Sequence, residues 1–164
     1  MRASKIAHEA GQKVALTLSD AFCVDRHRSS FQELIAAHVD ILFANEAEIL
    51  SLYQVTDFDQ ALAQVKNHCE MVALTRSEKG AVVLSRDEMH TIKAEPVSQV
   101  IDSTGAGDLF AAGFLFGVTR GHSPAICGRI GSLCAAEIIS HFGARPEKPL
   151  DQLVVERMGP GVLG

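Results

Sequence analysis

Apolar and polar positions switch between two periods along this chain, and the switches mark its elements. Residues 3–11 carry helical spacing and stop at Gly11. Residues 13–19, Lys-Val-Ala-Leu-Thr-Leu-Ser, predict a buried strand. Residues 26–37 return to a helix, with Phe31, Leu34, Ile35 and His38 on one side. A short strand over 39–43 leads through Ala44-Asn45-Glu46 into a short helix ending at Leu52. Asp57 is the predicted N-cap of a helix reaching about His68, with Phe58, Leu62 and Val65 inward. Strands follow over 71–75 and 81–85, with the turn Ser77-Glu78-Lys79-Gly80 between them. Residues 89–92 pair with the second as a hairpin, and 97–101 is the last predicted strand. Two long helices over 107–119 and 123–140 come next, the second capped by Ser123 with Pro124 at its first position. Gly143 ends the helical region, and Pro146 and Pro149 mark an extended tail.

Early strand-helix alternation implies right-handed crossovers and a parallel sheet covered by helices. Ligands of such sheets bind beyond the carboxyl ends of the strands. Ser19-Asp20, Ala44-Asn45, Thr75-Arg76 and Asp102-Ser103 all fall at predicted strand ends. Four polar clusters are therefore expected on one rim.

Composition narrows what that rim can do. With 164 residues and 47% hydrophobic content, the chain is long enough for one domain with a real core. A net charge of −5 argues against a nucleic-acid or anionic-membrane partner. A local phosphate site survives that test, because backbone amides do not enter net charge. Cys23, Cys69, Cys127 and Cys134 form no Cys-x2-Cys pair, which disfavours a structural zinc site. Cys127 and Cys134 lie about two helical turns apart, so buried reduced thiols and a cytoplasmic setting are expected. Arg2, Lys5, His8 and Glu9 interrupt any signal-peptide run. The apolar run 109–118 is too short to span a bilayer, and its Gly113-x3-Gly117 spacing suits close packing on a sheet. His8, His38, His68, His90 and His122 show no metal-ligand spacing.

The chemistry concentrates in Ile101-Asp102-Ser103-Thr104-Gly105-Ala106-Gly107-Asp108, followed by the apolar segment through Phe114. A small glycine-containing turn stands directly before a helix, with one carboxylate, Asp108, at its mouth. Helix N-termini leave N–H groups unpaired and carry partial positive charge. A turn without bulky side chains lets an anion reach them. Asp108 then sits where a base for phosphoryl transfer to an alcohol belongs. The same residues also fit an ordinary glycine-rich loop capping a buried helix. A dinucleotide fingerprint fits worse, because Phe110 holds the third glycine position and Asp108 repels a pyrophosphate. No Gly-x4-Gly-Lys-Ser/Thr occurs, against a P-loop nucleotidase.

On these residues the chain resembles the ribokinase/PfkB carbohydrate kinase family. Asp102-Ser103-Thr104-Gly105-Ala106-Gly107-Asp108 with Ala111-Ala112-Gly113-Phe114 is similar to that family's C-terminal signature. The resemblance implies that Asp108 is the general base and that the amides of Gly105, Ala106 and Gly107 form an anion hole for the transferred phosphoryl. Asn45-Glu46-Ala47-Glu48 resembles the family's Asn-x-x-Glu, which implies that Asn45 and Glu48 organise Mg2+, partly through water. A helix start with an acidic first turn looks the same. Thr75-Arg76-Ser77-Glu78-Lys79-Gly80 is similar to the family's Thr-x-Gly-x-x-Gly, with Ser77 in place of the first glycine. ATP-binding roles are implied for Thr75, Ser77, Gly80 and Thr104. A plain strand-to-strand turn also fits the Thr75–Gly80 stretch. His141 borders the adenine pocket by analogy, or complements a helix dipole. Asp102 and Ser103 lie near the position expected of an activating monovalent cation such as K+. The polar stretch Asp20, Cys23, Asp25, Arg26, His27 and Arg28 could touch phosphate, although a solvated helix start explains it better.

Within the family the likeness is greatest to adenosine kinases, carried by Leu16-Thr17-Leu18-Ser19, by 39–48 and by 135–149. It implies a ribokinase-like three-layer α/β/α fold with a mostly parallel sheet, truncated at its N-terminal side. Residues 1–164 are then the C-terminal, ATP-binding and catalytic part of a single kinase domain, matched over about 13–150, without the N-terminal part and its lid. The implied activity is transfer of the ATP γ-phosphoryl to a nucleoside hydroxymethyl group, adenosine to AMP. The alternatives are a ribokinase- or fructokinase-like sugar kinase, or an isolated chain that binds nucleotide but is catalytically incomplete. Implied partners are ATP and a small nucleoside or sugar, with no nucleic acid or membrane, and self-association through an exposed sheet edge.

Overall fold

The apolar run at 13–19 becomes a three-residue strand, β1 (Ala15–Thr17), in the computed structural model, which describes residues 1–66, 68–86 and 88–163. Helix α1 (Arg2–Glu9) precedes it. Next come α2 (Ala21–His38), β2 (Ile41–Asn45), α3 (Glu46–Tyr53), α4 (Phe58–Val65), β3 (Met71–Thr75), β4 (Ala81–Ser85) and β5 (Glu88–Ile92). The remainder holds α5 (Ala106–Thr119), α6 (Pro124–Ile138) and α7 (Leu150–Met158). The chain divides into two units, Met1–Arg76 with Val82–Met89, and Ser77–Ala81 with His90–Gly164.

In the first unit, β1 pairs with β2 and β2 with β3, both in parallel, with Asn45 opposite Thr75 at the strand ends. Helix α2 makes the first crossover, and α3 with α4 the second. Leu42 and Ala44, Val72 and Leu74, and Val82 and Leu84 repeat every second residue and so share one face of the sheet. They form a core with Val24 and Ile35 of α2, Ile49 and Leu52 of α3, and Phe58, Ala61 and Val65 of α4. The alternate positions Ile41, Phe43, Ala73 and Val83 are buried as well. That double burial is why these strands read as continuous apolar runs.

The sheet order is β1-β2-β3-β4-β5. The mostly parallel sheet expected from the sequence is corrected here: the sheet is mixed. Residues 76–80 and 86–87 are too short for the crossover that parallel neighbours require, so β4 runs against β3 and β5 against β4. Arg86 N donates to Glu70 O, joining the end of β4 to the start of β3 as antiparallel pairing demands.

Helix α2 begins at Ala21, well before residue 26. Asp20 caps it by accepting from Cys23 N at 2.8 Å. The helix bends at His27 (φ −124°, ψ 26°), which shifts its apolar phase and hides the first turns from a periodicity reading. Asp25 and Arg28 pair with each other and reach Ser51 of α3, so much of the polar stretch 20–28 joins helices. Asp57 caps α4 through Gln60 N at 3.0 Å, as predicted, but the helix ends at Val65.

The second unit is built on close contact between α5 and α6. A Cβ on Gly113 would lie 2.8 Å from Cys134 Sγ, one on Gly117 2.9 Å from Cys127 Sγ, and one on Gly131 2.6 Å from Phe110 O. The small residues of α5 therefore serve contact with a helix, where the sequence pointed to a sheet. Burial pushes the Cys127 and Cys134 thiols up to about 11. Ile130, Leu133 and Cys134 form a second core with Val154 of α7 and with Val162. Two tail expectations fail. Residues 97–101 form no strand; Val100 is exposed, and Ile101 N donates to Ile139 O at 2.8 Å. The extended tail is helix α7, because Pro149 occupies the N-cap, where its missing N–H does no harm, and Leu150, Val154, Val155 and Met158 share an apolar stripe. Among the described residues no helix is long and apolar enough to cross a membrane.

Candidate functional site

In the first unit the carboxyl ends of the parallel strands gather three of the four expected polar clusters on one rim. The fourth, Asp102-Ser103, lies in the second unit and follows no strand. Asn45 ends β2 and caps α3: its Oδ1 accepts from Glu48 N at 2.9 Å, and Glu48 Oε2 accepts from Asn45 N at 2.9 Å. Asn45 Nδ2 also donates to Glu48 Oε1 at 2.6 Å. This is a capping box, with Glu48 only 5% exposed. Burial raises the Glu48 carboxyl above its usual value against the pull of the Asn45 amide, and the charge of Asp20 raises it further. Replacing Asn45 with alanine removes the cap to Glu48 N and strips the Nδ2 donor from one oxygen of a buried carboxylate, while the backbone N–H to the other oxygen stays. Urea unfolding is expected to show a loss of about 1–2 kcal/mol. An unchanged midpoint would show that the box carries no stability.

Both Glu48 oxygens thus already have partners, and among the described residues no group of three or more His, Cys, Asp or Glu could hold a metal ion. An amide beside a carboxylate whose oxygens already accept hydrogen bonds could meet Mg2+ only through its water shell, a mode that this ion allows. Thr75 stands beside Asn45 in the register. Arg76, to which the motif gives no role, donates to Glu46 Oε1 at 2.9 Å and lies 3.7 Å over the Phe58 ring.

In the second unit, Ser77 has φ +51° and Gly80 φ +85°. Serine thus takes the left-handed conformation that the family's glycine would occupy without strain. Gly80 admits no side chain, since a Cβ would lie 2.0 Å from Ile92 O. At the mouth of α5, Gly105 is the N-cap with φ +82°, and no side chain caps the helix. A Cβ on Gly107 would meet nothing within 4 Å, so open space adjoins the first turn. Asp108 lies exposed in that same turn. Of the three amides expected to face an anion, Ala106 N already donates to Ser103 O at 3.2 Å, in turn geometry.

Asp102 shapes this turn. Its Oδ1 accepts from Thr104 N at 2.9 Å and its Oδ2 from Gly143 N at 3.0 Å. Hydrogen bonds from the Thr104 side chain and amide, then from Gly143, hold its carboxyl below the usual range. His141 has both ring nitrogens engaged, Nε2 with Glu137 Oε1 at 3.2 Å and Nδ1 with Phe142 O at 3.3 Å. Burial opposes charge on His141, but the Phe142 carbonyl with Glu137 and Glu147 outweighs it and raises its pKa. The structure thus brings together Asn45, Glu48 and Thr75 in one unit, and places Ser77, Gly80, Thr104, Gly105, Ala106, Gly107, Asp108 and His141 in the other. Glu137 carries no local signal in the sequence, where it looks like one more polar residue on a helix.

The sequence profile of the pfkB family carbohydrate kinases matches residues 1–151, and the chain belongs to that family. An uncharacterized sugar kinase of Archaeoglobus fulgidus is 36% identical over 118 residues, covering 71% of this chain and 46% of the relative. The crystal structure of a probable sugar kinase from Rhizobium etli CFN 42 is 44% identical, with a TM-score of 0.93 over 98% of this chain and 48% of that one. An adenosine kinase from Sinorhizobium meliloti is 46% identical, with a TM-score of 0.92 over 95% of this chain and 48% of that one. The resemblance in the sequence implies a likeness over about 13–150, to a C-terminal half with a truncated sheet. The profile match overturns that restriction, since it takes in nearly the whole chain, including α1, which carries none of the motif residues. The chain spans about half the length of the curated relatives it matches.

Proposed function

We propose that the chain transfers the γ-phosphoryl of ATP to a hydroxymethyl group of a nucleoside, with adenosine, giving AMP, as the leading acceptor. The observation that carries this is the α5 mouth: a left-handed Gly105, open space at Gly107 and an exposed carboxylate at Asp108 in one helical turn. Asp108 takes the acceptor's proton, while the amides of Gly105 and Gly107 face the charge that grows on the phosphoryl oxygens, Ala106 N being held by Ser103 O. The family likeness supports ATP-binding roles for Thr75 in the first unit and for Ser77, Gly80, Thr104 and His141 in the second, His141 through its ring edge since its nitrogens are engaged. ATP and Mg2+ are cofactors typical of this family. Mg2+, when bound, would neutralise phosphate charge, and Asn45 and Glu48 would hold it through its water. A monovalent cation beside Asp102 and Ser103 belongs to the same proposal. So do a cytoplasmic setting, which suits the free thiols, and self-association through edge strand β1, where Ala15 and Thr17 are exposed.

Likeness to the Sinorhizobium meliloti adenosine kinase supports the acceptor. Likeness to the Rhizobium etli probable sugar kinase supports a second one, a free sugar. Purified chain incubated with MgATP and adenosine, ribose or fructose, with products read by mass spectrometry, separates them. Conversion of adenosine to AMP is expected, with kcat/KM at least about 10-fold above either sugar. Preference for a sugar overturns the nucleoside assignment. Binding of ATP without turnover of any acceptor overturns the catalytic one.

A further inference from the structure

Glu137, in the last turn of α6, has no assigned role, yet its carboxylate is placed against both burial and the helix dipole. Its side chain is 4% exposed, and negative charge at a helix C-terminus is disfavoured. What holds it there is the chain that follows. Oε1 accepts from Glu147 N at 2.9 Å, from Lys148 N at 3.0 Å and from His141 Nε2 at 3.2 Å. Oε2 is buried without a hydrogen-bond partner. An arrangement that leaves one oxygen unsatisfied while loading the other is costly, and it fixes one end of the segment 141–148.

The other end of that segment is fixed at the α5 mouth. Gly143 N donates to Asp102 Oδ2, and Asp102 Oδ1 holds Thr104 N. Ala144 lies against the N-cap itself: a Cβ on Gly105 would come 3.1 Å from Ala144 Cβ. Just upstream, Ile101 N is tied to Ile139 O. The turn 102–105 therefore has no strand behind it. It leans on 139–148, which in turn hangs on Glu137.

We propose that Glu137 is a positioning residue for the α5 mouth: by clamping the amides of Glu147 and Lys148, it holds the Gly143-Ala144 corner against Asp102 and Gly105. The proposal rests on the assignment of that mouth as the phosphoryl site. Glu137 touches neither substrate nor reacting atoms, and it acts through the set of the turn. A displacement on the order of 1 Å at a reacting centre costs about 10²-fold in rate. Loss of the clamp should therefore appear in kcat and leave acceptor affinity nearly untouched.

The test compares Glu137→Gln, Glu137→Asp and Glu137→Ala in the full chain. Glutamine keeps an acceptor where Oε1 stands; aspartate keeps the charge but falls one methylene short. Glu137→Asp and Glu137→Ala are expected to lower kcat by about 10- to 100-fold with the acceptor KM within about 2-fold of wild type, and Glu137→Gln to restore most of the rate. Amide hydrogen exchange supplies a readout independent of turnover. Protection of Gly143 N–H should fall by about 10-fold in Glu137→Asp, while Leu133 inside α6 keeps its protection. If Glu137→Ala does not fold, the aspartate and glutamine pair decides. Unchanged Gly143 protection in Glu137→Asp, or aspartate matching glutamine in kcat, overturns the proposal. If wild type turns over no acceptor, the kinase assignment has failed, and Gly143 protection still decides the clamp.

Discussion

Asp108→Asn is expected to lower kcat by about 10²- to 10⁴-fold while MgATP still binds, the range that a positioned general base contributes. Asparagine matches aspartate in shape but cannot take the acceptor hydroxyl's proton. It also removes a negative charge from the turn that faces the phosphates, so MgATP affinity should hold or improve. Asp108 is exposed in the first turn of α5, where a carboxylate complements the helix dipole by only about 0.3–1 kcal/mol. The variant should therefore stay folded, and the loss should fall on kcat with both KM values little changed. Product formation at saturating MgATP and acceptor, beside calorimetric titration of MgATP, reads both quantities. A drop of less than about 3-fold would move the base elsewhere, because no proton-transfer role is that small.

How far such a site can be read before folding depends on whether its signal is local. The strands 71–75 and 81–85 and the caps Asp57 and Ser123 are legible because each is set by its immediate neighbours. The α5 mouth is legible for the same reason: small residues, a glycine at positive φ and a carboxylate follow one another directly. Asn45-x-x-Glu48 is legible only as geometry, since a capping box and a magnesium-organising pair ask for the same residues at the same spacing. The β4–β5 hairpin is legible from its short connector, whereas the antiparallel β3–β4 pairing is masked by the strand-helix alternation before it, although the connector 76–80 is just as local a signal. The kink at His27 breaks the periodicity that would have revealed the start of α2. Ser77 hides its left-handed conformation behind an identity that rarely adopts it. Glu137 is the clearest non-local case: its partners at 147 and 148 become visible only once 141–148 folds back on α6.

A second large effect comes from one substitution made at two glycines, with opposite signs expected. Alanine is favoured over glycine in a helix by about 1 kcal/mol, so Gly107→Ala, with nothing within 4 Å of its new methyl, should stabilise the chain by up to that amount. At Gly131 the same methyl would lie 2.6 Å from the Phe110 carbonyl oxygen and 3.2 Å from its ring. A backbone carbonyl inside α5 cannot swing aside as a side chain can, so α5 and α6 must part. Overpacking of that kind costs about 1–3 kcal/mol, which exceeds the helix gain toward its upper end, and the cavities opened along the seam at Gly113 and Gly117 add to it. Gly131→Ala is therefore expected to lose about 2 kcal/mol in denaturant unfolding. It should also lose turnover, because Phe110 lies in α5 two residues after Asp108. Gly107→Ala should do the reverse for stability and worse for binding, since its methyl fills the space through which a phosphate would approach the amides. A loss of about 10-fold or more in MgATP affinity corresponds to about 1.4 kcal/mol of obstructed contact. Thermal unfolding and MgATP titration of the two variants side by side test both halves. Wild-type affinity in Gly107→Ala would mean the open space is not where phosphate lies, and wild-type stability in Gly131→Ala would mean the two helices part without cost.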